Sequence, residues 1–342
     1  MKKKIGLFII ITSIVGALIA YNFYSKIYNV NVIKDSAILI PDNASIDDVV
    51  TLINPYLKDK SSFIWVADLK KYPSLIKPGR FLLSEGMNNN DLVNMLRLGK
   101  QKPVKVTFNN QDSLEKLTGR ISTQINVDST ELLNAILDTE FLNKSGFTKS
   151  NVLGMLIPNS YEFYWNTSAE KFRDKMLKEY YRFWNQERLQ KAKKLNLSKN
   201  EVITLASIVQ KETSKISERP TVAGLYLNRL QDGWPLQADP TIIYALKQKH
   251  GQDYIVKRVL NKDLEIESPY NTYKNTGLPP SLISMPDISS IDAVLNPKQH
   301  QYFYMCASVT NIGSHEFAKT IAQHNANARK YQKWISKQGI NR

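Results

Sequence analysis

Glu212 is the residue of this sequence whose type and position best fit acid–base chemistry. It follows an apolar stripe at helical spacing, made of Val202, Leu205, Ala206, Ile208 and Val209. That spacing places Glu212 on the same helix face, about one turn further along. Two roles fit it: a solvated residue at a helix end, or a carboxyl at the edge of an apolar pocket. In the second role, burial raises the pKa and keeps a proton available for general-acid catalysis.

Three helices must position this glutamate. Ser198 followed by Glu201 is a capping-box pattern and predicts a helix start immediately before the apolar stripe. Pro220 is typical of the first turn of a second helix. The pair at positions 239 and 240, Asp then Pro, reads as the N-cap and first position of a third helix that ends before Gly251.

Several polar side chains downstream could contact a ligand. Asn228, Arg229 and Gln237 are hard to explain by helix structure alone, and Arg229 could pair with a carboxylate of the enzyme or of a ligand. Residues 268–280 form a turn-rich segment that combines hydrogen-bonding and aromatic side chains, as a glycan groove requires. Those side chains are Tyr270, Asn271, Thr272 and Tyr273.

Other site chemistries lack support in the sequence. Cys306 is the single cysteine, and it excludes an internal disulfide or a multi-cysteine zinc site. His315 and His324 match no standard zinc spacing, so we interpret them as structural or groove residues. Neither a phosphate-binding glycine loop nor a G-x-S-x-G elbow occurs. We expect no metal and no cofactor.

Separated motifs, all in the same chain order, resemble the endolytic murein transglycosylase family, also called MltG or YceG-like. They are GMLIPNSYEFY at 154–164, ASIVQKET at 206–213, SER at 217–219, NRL at 228–230, LQADPT at 236–241, SPYNTY at 268–273, GLPP at 277–280, SHEF at 314–317 and HN at 324–325. Several motifs in the right order are far more specific than any one of them.

The resemblance implies a lytic transglycosylase that cleaves the β-1,4 bond between N-acetylmuramic acid and N-acetylglucosamine in nascent glycan strands. It implies 1,6-anhydro ends, a limit on strand elongation, and peptidoglycan synthases as candidate partners. Glu212 matches the catalytic glutamate of the family. We expect the substrate-binding residues to be Glu218, Asn228, Arg229, Gln237, Asp239, Tyr270, Asn271, Thr272 and Tyr273. The alternative is a peptidoglycan-binding scaffold that recruits synthases without cutting.

Two positions near Glu212 qualify this assignment. Gln210 stands where many relatives carry another acid, and we expect activity to survive because the family uses the Glu212 position. Glu218 also has a structural explanation, as a helix-start charge pair with Arg219.

The N-terminus predicts a membrane anchor. Three lysines at positions 2–4 precede an apolar run at 5–20, and aromatic residues follow it. Extended to Phe23, the run is just long enough to cross a bilayer, and the lysines place the N-terminus in the cytoplasm and the rest outside. A cleaved signal peptide is the competing interpretation, although Leu18 gives a poor cleavage site after Ala20. We favour a retained single-pass anchor in the cytoplasmic membrane.

From 30 to 108 the chain alternates β-rich runs, polar turns and amphipathic helices. The runs are 37–41, 80–83 and 104–108, and the helices are 46–53, 92–98 and 114–121, with caps at Ser45 and at Asn89 or Asn90. In the family this region resembles a small LysM-like wall-binding module, while a purely structural spacer fits equally well. The family usually has a Pro-Glu-Gly turn where this chain has Asn109, Asn110, Gln111 and Asp112.

The Lys-, Glu- and Leu-rich composition of residues 126–197 predicts helices, including one basic helix at 171–194. An inserted aromatic group, Tyr161, Phe163, Tyr164 and Trp165, is either core or a sugar-stacking surface. Near 302–308 the pattern indicates a strand. We therefore predict an α+β fold in three parts: an anchor at 1–24, a LysM-like module at 30–108 and a catalytic domain at 109–342.

The 342 residues carry a net charge of +15, which suggests anionic surroundings such as lipid headgroups, an acidic wall polymer or nucleic acid. Nucleic acid is a poor partner for a chain that an anchor sends outward. The predicted partners are peptidoglycan glycan strands and the cytoplasmic membrane.

Overall fold

The computed structural model describes residues 2–337, which form two compact units. The first unit comprises Met1–Val106, Ile121–Asp128 and Ser160–Ser168. The second comprises Thr107–Arg120, Ser129–Asn159 and Ala169–Arg342. Three two-stranded sheets accompany the helices: β1–β2, β3–β4 and β5–β6. The strands are β1 Ser36–Ile40, β2 Gly79–Leu83, β3 Val104–Phe108, β4 Asn159–Phe163, β5 Tyr304–Ala307 and β6 His315–Ala318.

The fourteen α-helices of the described chain follow its amphipathic and capped segments. They are α1 Lys2–Tyr28, α2 Ile46–Ile53, α3 Lys60–Leu69, α4 Asn89–Leu98, α5 Leu114–Ser122, α6 Ser129–Ile136, α7 Thr139–Ser145, α8 Ala169–Phe183, α9 Gln186–Lys194, α10 Lys199–Glu212, α11 Arg219–Gln231, α12 Asp239–His250, α13 Ile288–Leu295 and α14 Ile321–Lys337. Short 3₁₀ turns occur at Asn54–Tyr56, Tyr72–Ser74, Val152–Met155, Ile216–Glu218 and Asn261–Glu265.

Helix α1 contains a segment, Lys3–Tyr28, that is long and apolar enough to cross a membrane, and its most apolar 18 residues have a mean hydropathy of 2.1. None of that segment is buried, which is the exposure expected of a lipid-facing helix. Its last turns pack on the first unit: the Phe23 ring stacks on Trp65 at 5.3 Å, and Asn89 donates a hydrogen bond of 2.8 Å to the Lys26 carbonyl.

The first unit confirms the predicted strand–turn–helix pattern. β1 pairs antiparallel with β2 from Ser36 opposite Leu83 to Ile40 opposite Gly79, and α2 and α3 lie between the two strands in sequence. The Ser45 cap of α2 is confirmed as a full capping box. The predicted caps at Asn89 and Asn90 are wrong, because Asn88 caps α4.

Residues 126–197 are mostly helical, as predicted, but the basic segment within them is two helices rather than one. The predicted continuous helix ends at Phe183, and α9 begins at Gln186. Asn185 separates them because its side chain accepts a hydrogen bond from the Arg188 amide, which caps a new helix. The Trp184 side chain is buried at the break.

Helix α10 lies in the core of the second unit. All residues from 202 to 209 are buried, so the helix is covered around its whole circumference and not only along the predicted stripe. The cover comes from α11, α12 and α13. The predicted capping box of Ser198 and Glu201 is confirmed, and Pro220 lies in the first turn of α11 as predicted.

Candidate active site

Glu212 is the last residue of α10, where the buried helix reaches the surface of the second unit. The residue is half-buried, and its Oε1 accepts a hydrogen bond of 2.5 Å from the Tyr226 hydroxyl. Within residues 2–337, Tyr226 is the one side chain with a recorded hydrogen bond to this carboxyl. The second oxygen, Oε2, is therefore left for a ligand.

The surroundings of Glu212 keep a large fraction of it protonated near neutral pH. Burial is the largest influence and raises the pKa of Glu212 to about 7, from an ordinary value of 4.5. The Tyr226 hydrogen bond and the nearby charges of His315 and Arg229 oppose that rise, whereas the Asp239 carboxylate adds to it. Such a carboxyl can donate a proton at neutral pH and accept one back.

Tyr226 is a site residue that the sequence did not single out. It lies on α11 with 1% of its surface exposed, four residues from the apolar Val222 and from Leu230, so in the sequence it looks like one member of an apolar stripe. Burial and the Glu212 carboxyl raise the pKa of Tyr226 well above 10, so the phenol stays a hydrogen-bond donor. A tyrosine in an apolar stripe is itself a signal, since its hydroxyl needs a partner when buried.

Glu218 is buried and holds His315. Its two oxygens accept hydrogen bonds from the His315 amide, at 2.7 Å, and from Nδ1 of the ring, at 2.9 Å. Desolvation acts to raise the pKa of Glu218, but the hydrogen bonds from His315 and Thr213 outweigh it and the pKa is lowered. Glu218 is thus an ionised carboxylate that fixes the orientation of the His315 ring. It does so through Nδ1 and does not contact Nε2.

The predicted charge pair between Glu218 and Arg219 is wrong. The Arg219 guanidinium instead donates to Asp287 at 2.9 Å and to Ser289 at 2.5 Å. Both partners lie at the start of α13, so the buried arginine joins the beginnings of α11 and α13.

Asp239 and Tyr273 form the other polar pair near Glu212. The Tyr273 hydroxyl donates to Asp239 at 2.5 Å, and burial, followed by this contact, raises the pKa of Tyr273. The predicted N-cap role of Asp239 is wrong by one position: Ala238 is the N-cap, and Asp239 is the first residue of α12. The predicted end of that helix before Gly251 is confirmed.

Two residues of the predicted glycan loop are buried and hold its shape. Asn271 donates to the carbonyls of Leu264 and Ile266, at 2.8 and 2.9 Å. The Thr272 hydroxyl accepts from the Ala238 amide at 3.0 Å, and its carbonyl accepts from the Gln237 amide at 3.0 Å.

Gln237 itself is exposed in a left-handed conformation, with φ of 50°. A non-glycine residue seldom adopts this φ, and the Thr272 contacts hold it there. Its side chain is thereby presented to solvent beside the start of α12.

Asn228 and Arg229 bind backbone carbonyls. Asn228 donates to the carbonyls of His300 and Tyr302, both at 3.0 Å. Arg229 is buried and donates to the carbonyls of Phe303 at 2.8 Å and Leu236 at 2.5 Å. No carboxylate forms an ion pair with Arg229 among residues 2–337, although its charge acts on Glu212.

Two further residues form their hydrogen bonds away from Glu212. The Tyr270 hydroxyl bonds to Ser281 at 2.7 Å, and its ring packs on Tyr244 in a separate groove. Gln210 accepts hydrogen bonds from the Ser290 hydroxyl at 2.7 Å and the Asp287 amide at 3.2 Å. Its amide therefore supports the start of α13.

Comparison with known proteins identifies the family. The sequence model of the YceG-like family matches residues 38–330. The chain belongs to the YceG-like family. Within described residues 2–337, the YceG-like chain holds no group of three or more His, Cys, Asp or Glu side chains that could bind a metal.

Individual relatives extend the similarity to most of this YceG-like chain. An endolytic murein transglycosylase of Bacillus subtilis (strain 168) is 30% identical over 313 residues, which are 85% of this chain and 83% of the relative. One of Streptococcus pneumoniae serotype 2 is 28% identical, over 85% of this chain and 57% of the relative. The crystal structure of a YceG-like protein from Listeria monocytogenes aligns with a TM-score of 0.57 and 29% identity, covering 86% of this chain and 98% of that one.

Proposed function

We propose that this chain is an endolytic lytic transglycosylase that cuts the β-1,4 bond between N-acetylmuramic acid and N-acetylglucosamine in nascent peptidoglycan strands. Relatives that align with 85% of the chain carry the name endolytic murein transglycosylase, which supports the enzyme class. The observation that carries the mechanism is Glu212, a carboxyl with a pKa of about 7 and one oxygen left for a ligand.

The proposed reaction uses Glu212 twice. Its protonated carboxyl donates a proton to the glycosidic oxygen as the bond to C1 of the muramic acid breaks. The resulting carboxylate then accepts the proton of the C6 hydroxyl, whose oxygen forms a bond to C1. One sugar end leaves as an alcohol and the other as a 1,6-anhydro ring, and Glu212 regains its proton. The reaction consumes no water.

The arrangement of the other carboxylates favours this single-acid reaction. A hydrolase would need a second carboxylate, about 5–5.5 Å away for retention or about 6.5–9.5 Å away for inversion. Glu218 has both oxygens bound by His315, and Asp239 accepts the Tyr273 hydroxyl. Because the C6 hydroxyl of the substrate serves as the nucleophile, the reaction needs neither.

The proposed location is the cytoplasmic membrane, with α1 as a single-pass anchor and the catalytic unit on the outer side. The apolar helix supports the anchor, and the three preceding lysines support the orientation.

We also propose that the first unit binds wall glycan as a LysM-like module. Its order of strand, two helices and antiparallel strand is compatible with that role.

Product analysis tests the proposed reaction against the scaffold alternative. Full-length protein in detergent is incubated with purified, uncut wall glycan, and the fragments are analysed by mass spectrometry. We expect internal cleavage with anhydro ends, each lighter by one water than a hydrolytic end, and no product from Glu212→Gln. A thermal unfolding temperature no lower than that of the wild type shows that this variant is folded. Reducing ends alone, or normal cutting by Glu212→Gln, would refute the reaction, and no cutting by the wild type would favour the scaffold.

A further inference from the structure

A groove separate from the polar contacts of Glu212 is lined in part by Lys211, the residue before it in the chain. It consists of two cavities of about 230 and 480 Å³ that share Asp112, Tyr244, Gln252 and Ile283 in their walls. The larger lies within the range of about 300–1,000 Å³ typical of small-molecule sites. We call this combined space the lysine groove.

Two residues that line the lysine groove are sequence neighbours of candidate site residues. Lys211 and Pro240 line it, and each directly adjoins a member of the site, Glu212 and Asp239 respectively. Lys211 and Glu212 are consecutive residues at the end of α10, so the same helix end contributes one residue to the groove and one to the candidate site.

The floor of the lysine groove is apolar and fixed. Ile283 lies against α10, because its amide donates to the buried Ser207 hydroxyl at 3.0 Å. The rings of Tyr244 and Tyr270 pack with centroids 4.7 Å apart, and the Ser281 hydroxyl holds the Tyr270 hydroxyl. A ligand would therefore meet a rigid surface of aliphatic and aromatic groups.

The charges in the lysine groove leave a cationic excess around one carboxylate. Lys211 Nζ forms an ion pair with Asp112 Oδ1 at 2.6 Å, and the positive charges of Lys116 and Lys247 also act on this carboxylate. Desolvation acts to raise the pKa of Asp112, but these three lysines outweigh it and the pKa is lowered. Within residues 2–337, no hydrogen bond or ion pair is recorded for the Lys247 ammonium group. Three lysines, Lys149, Lys211 and Lys247, and two carboxylates, Asp112 and Glu115, line the groove, so one positive charge is in excess and an anion fits beside Lys247.

We infer that the lysine groove binds the peptide stem of the muramic acid next to the cut bond, with a stem carboxylate at Lys247. The stem leaves the sugar from C3, two carbons from the C1 that reacts, which matches a groove that starts one residue from Glu212 and Asp239. Small apolar side chains of the stem can pack on the apolar floor of the groove, and a stem carboxylate can form an ion pair with Lys247. This inference rests on the proposed transglycosylase function.

The test compares strands that keep their stems with strands stripped of stems by an amidase. Full-length wild type should show a higher kcat/KM on stem-bearing strands, through a lower KM. Lys247→Gln should reduce the ratio of the two kcat/KM values by about tenfold, as expected when one charge-assisted hydrogen bond is lost. Lys249→Gln is the matched control, because Lys249 is exposed in the same last turn of α12 and does not line the groove.

A direct binding arm separates this inference from the proposed function. A free stem tripeptide should bind the full-length Glu212→Gln protein, and the same peptide with amidated carboxylates should bind about tenfold more weakly. Adding Lys247→Gln should abolish that difference. Equal cutting of both strand types by the wild type, or equal binding of both peptides, overturns the peptide groove. If the wild type cuts neither strand while the peptides still differ in binding, the proposed function fails and the groove stands.

Discussion

The Tyr226 hydroxyl donates a 2.5 Å hydrogen bond to Oε1 of Glu212 and joins two residues that lie 14 positions apart on neighbouring helices. The bond fixes one oxygen of a carboxyl that burial has made a weak acid. It also favours the ionised form of Glu212, because a hydrogen bond to a carboxylate stabilises its charge.

Removing this hydrogen bond should shift the pH profile upward. In Tyr226→Phe the carboxylate loses its donor, so the pKa of Glu212 should rise further and the alkaline loss of activity should move to higher pH. The lost orientation of Oε1 should lower kcat by about tenfold. Initial rates across pH measure both effects. Tyr181→Phe, at an exposed tyrosine, is the control, and an unmoved alkaline limb in Tyr226→Phe would contradict the assignment.

Asp239→Asn should shift the same limb in the opposite direction. The Asp239 charge raises the pKa of Glu212, so its removal should lower that pKa and bring the alkaline loss to lower pH. Tyr273 should lose its strongest acceptor and bind substrate less well. Because Asp239 is not the nucleophile, the remaining product should still have anhydro ends. Detection of reducing ends by mass spectrometry would assign Asp239 a hydrolytic role instead.

Glu212 should make the fold less stable as pH rises. Between pH 4.5 and about 7 the unfolded chain releases this proton while the folded chain keeps it, so stability falls with rising pH in that window. The loss should approach about 3 kcal/mol by pH 7. Glu212→Gln lacks this titration, so its free energy of unfolding should increase relative to that of the wild type as the pH rises. Urea unfolding of both proteins at about pH 5 and about pH 8 measures the difference. A constant difference between them would show that Glu212 titrates normally.

The full-length protein should stay in the membrane fraction after a high-salt wash. Salt screens the attraction of basic residues to anionic lipid but does not weaken insertion of an apolar helix such as α1. Sedimentation followed by N-terminal sequencing distinguishes the cases. A soluble product that begins near Tyr21 would show that the segment is cleaved as a signal peptide.

Local sequence signals predicted most of the helix boundaries near the site. The capping box of Ser198 and Glu201, Pro220 and Gly251 marked helix boundaries that the structure confirms. These signals are local because a cap or a turn residue satisfies backbone groups only a few residues away. The boundary at Asp239 was misplaced by one residue, an error typical of helix ends.

Which side chains meet depends on how segments far apart in the sequence pack together. Glu218 and His315 are 97 residues apart, and the preference of Arg219 for Asp287 over its neighbour Glu218 depends on the position of α13. The buried state of Glu212 likewise depends on what distant segments place around the end of α10. A helical period shows which face a residue occupies, whereas its pKa is set by desolvation and by charges that arrive from elsewhere in the chain.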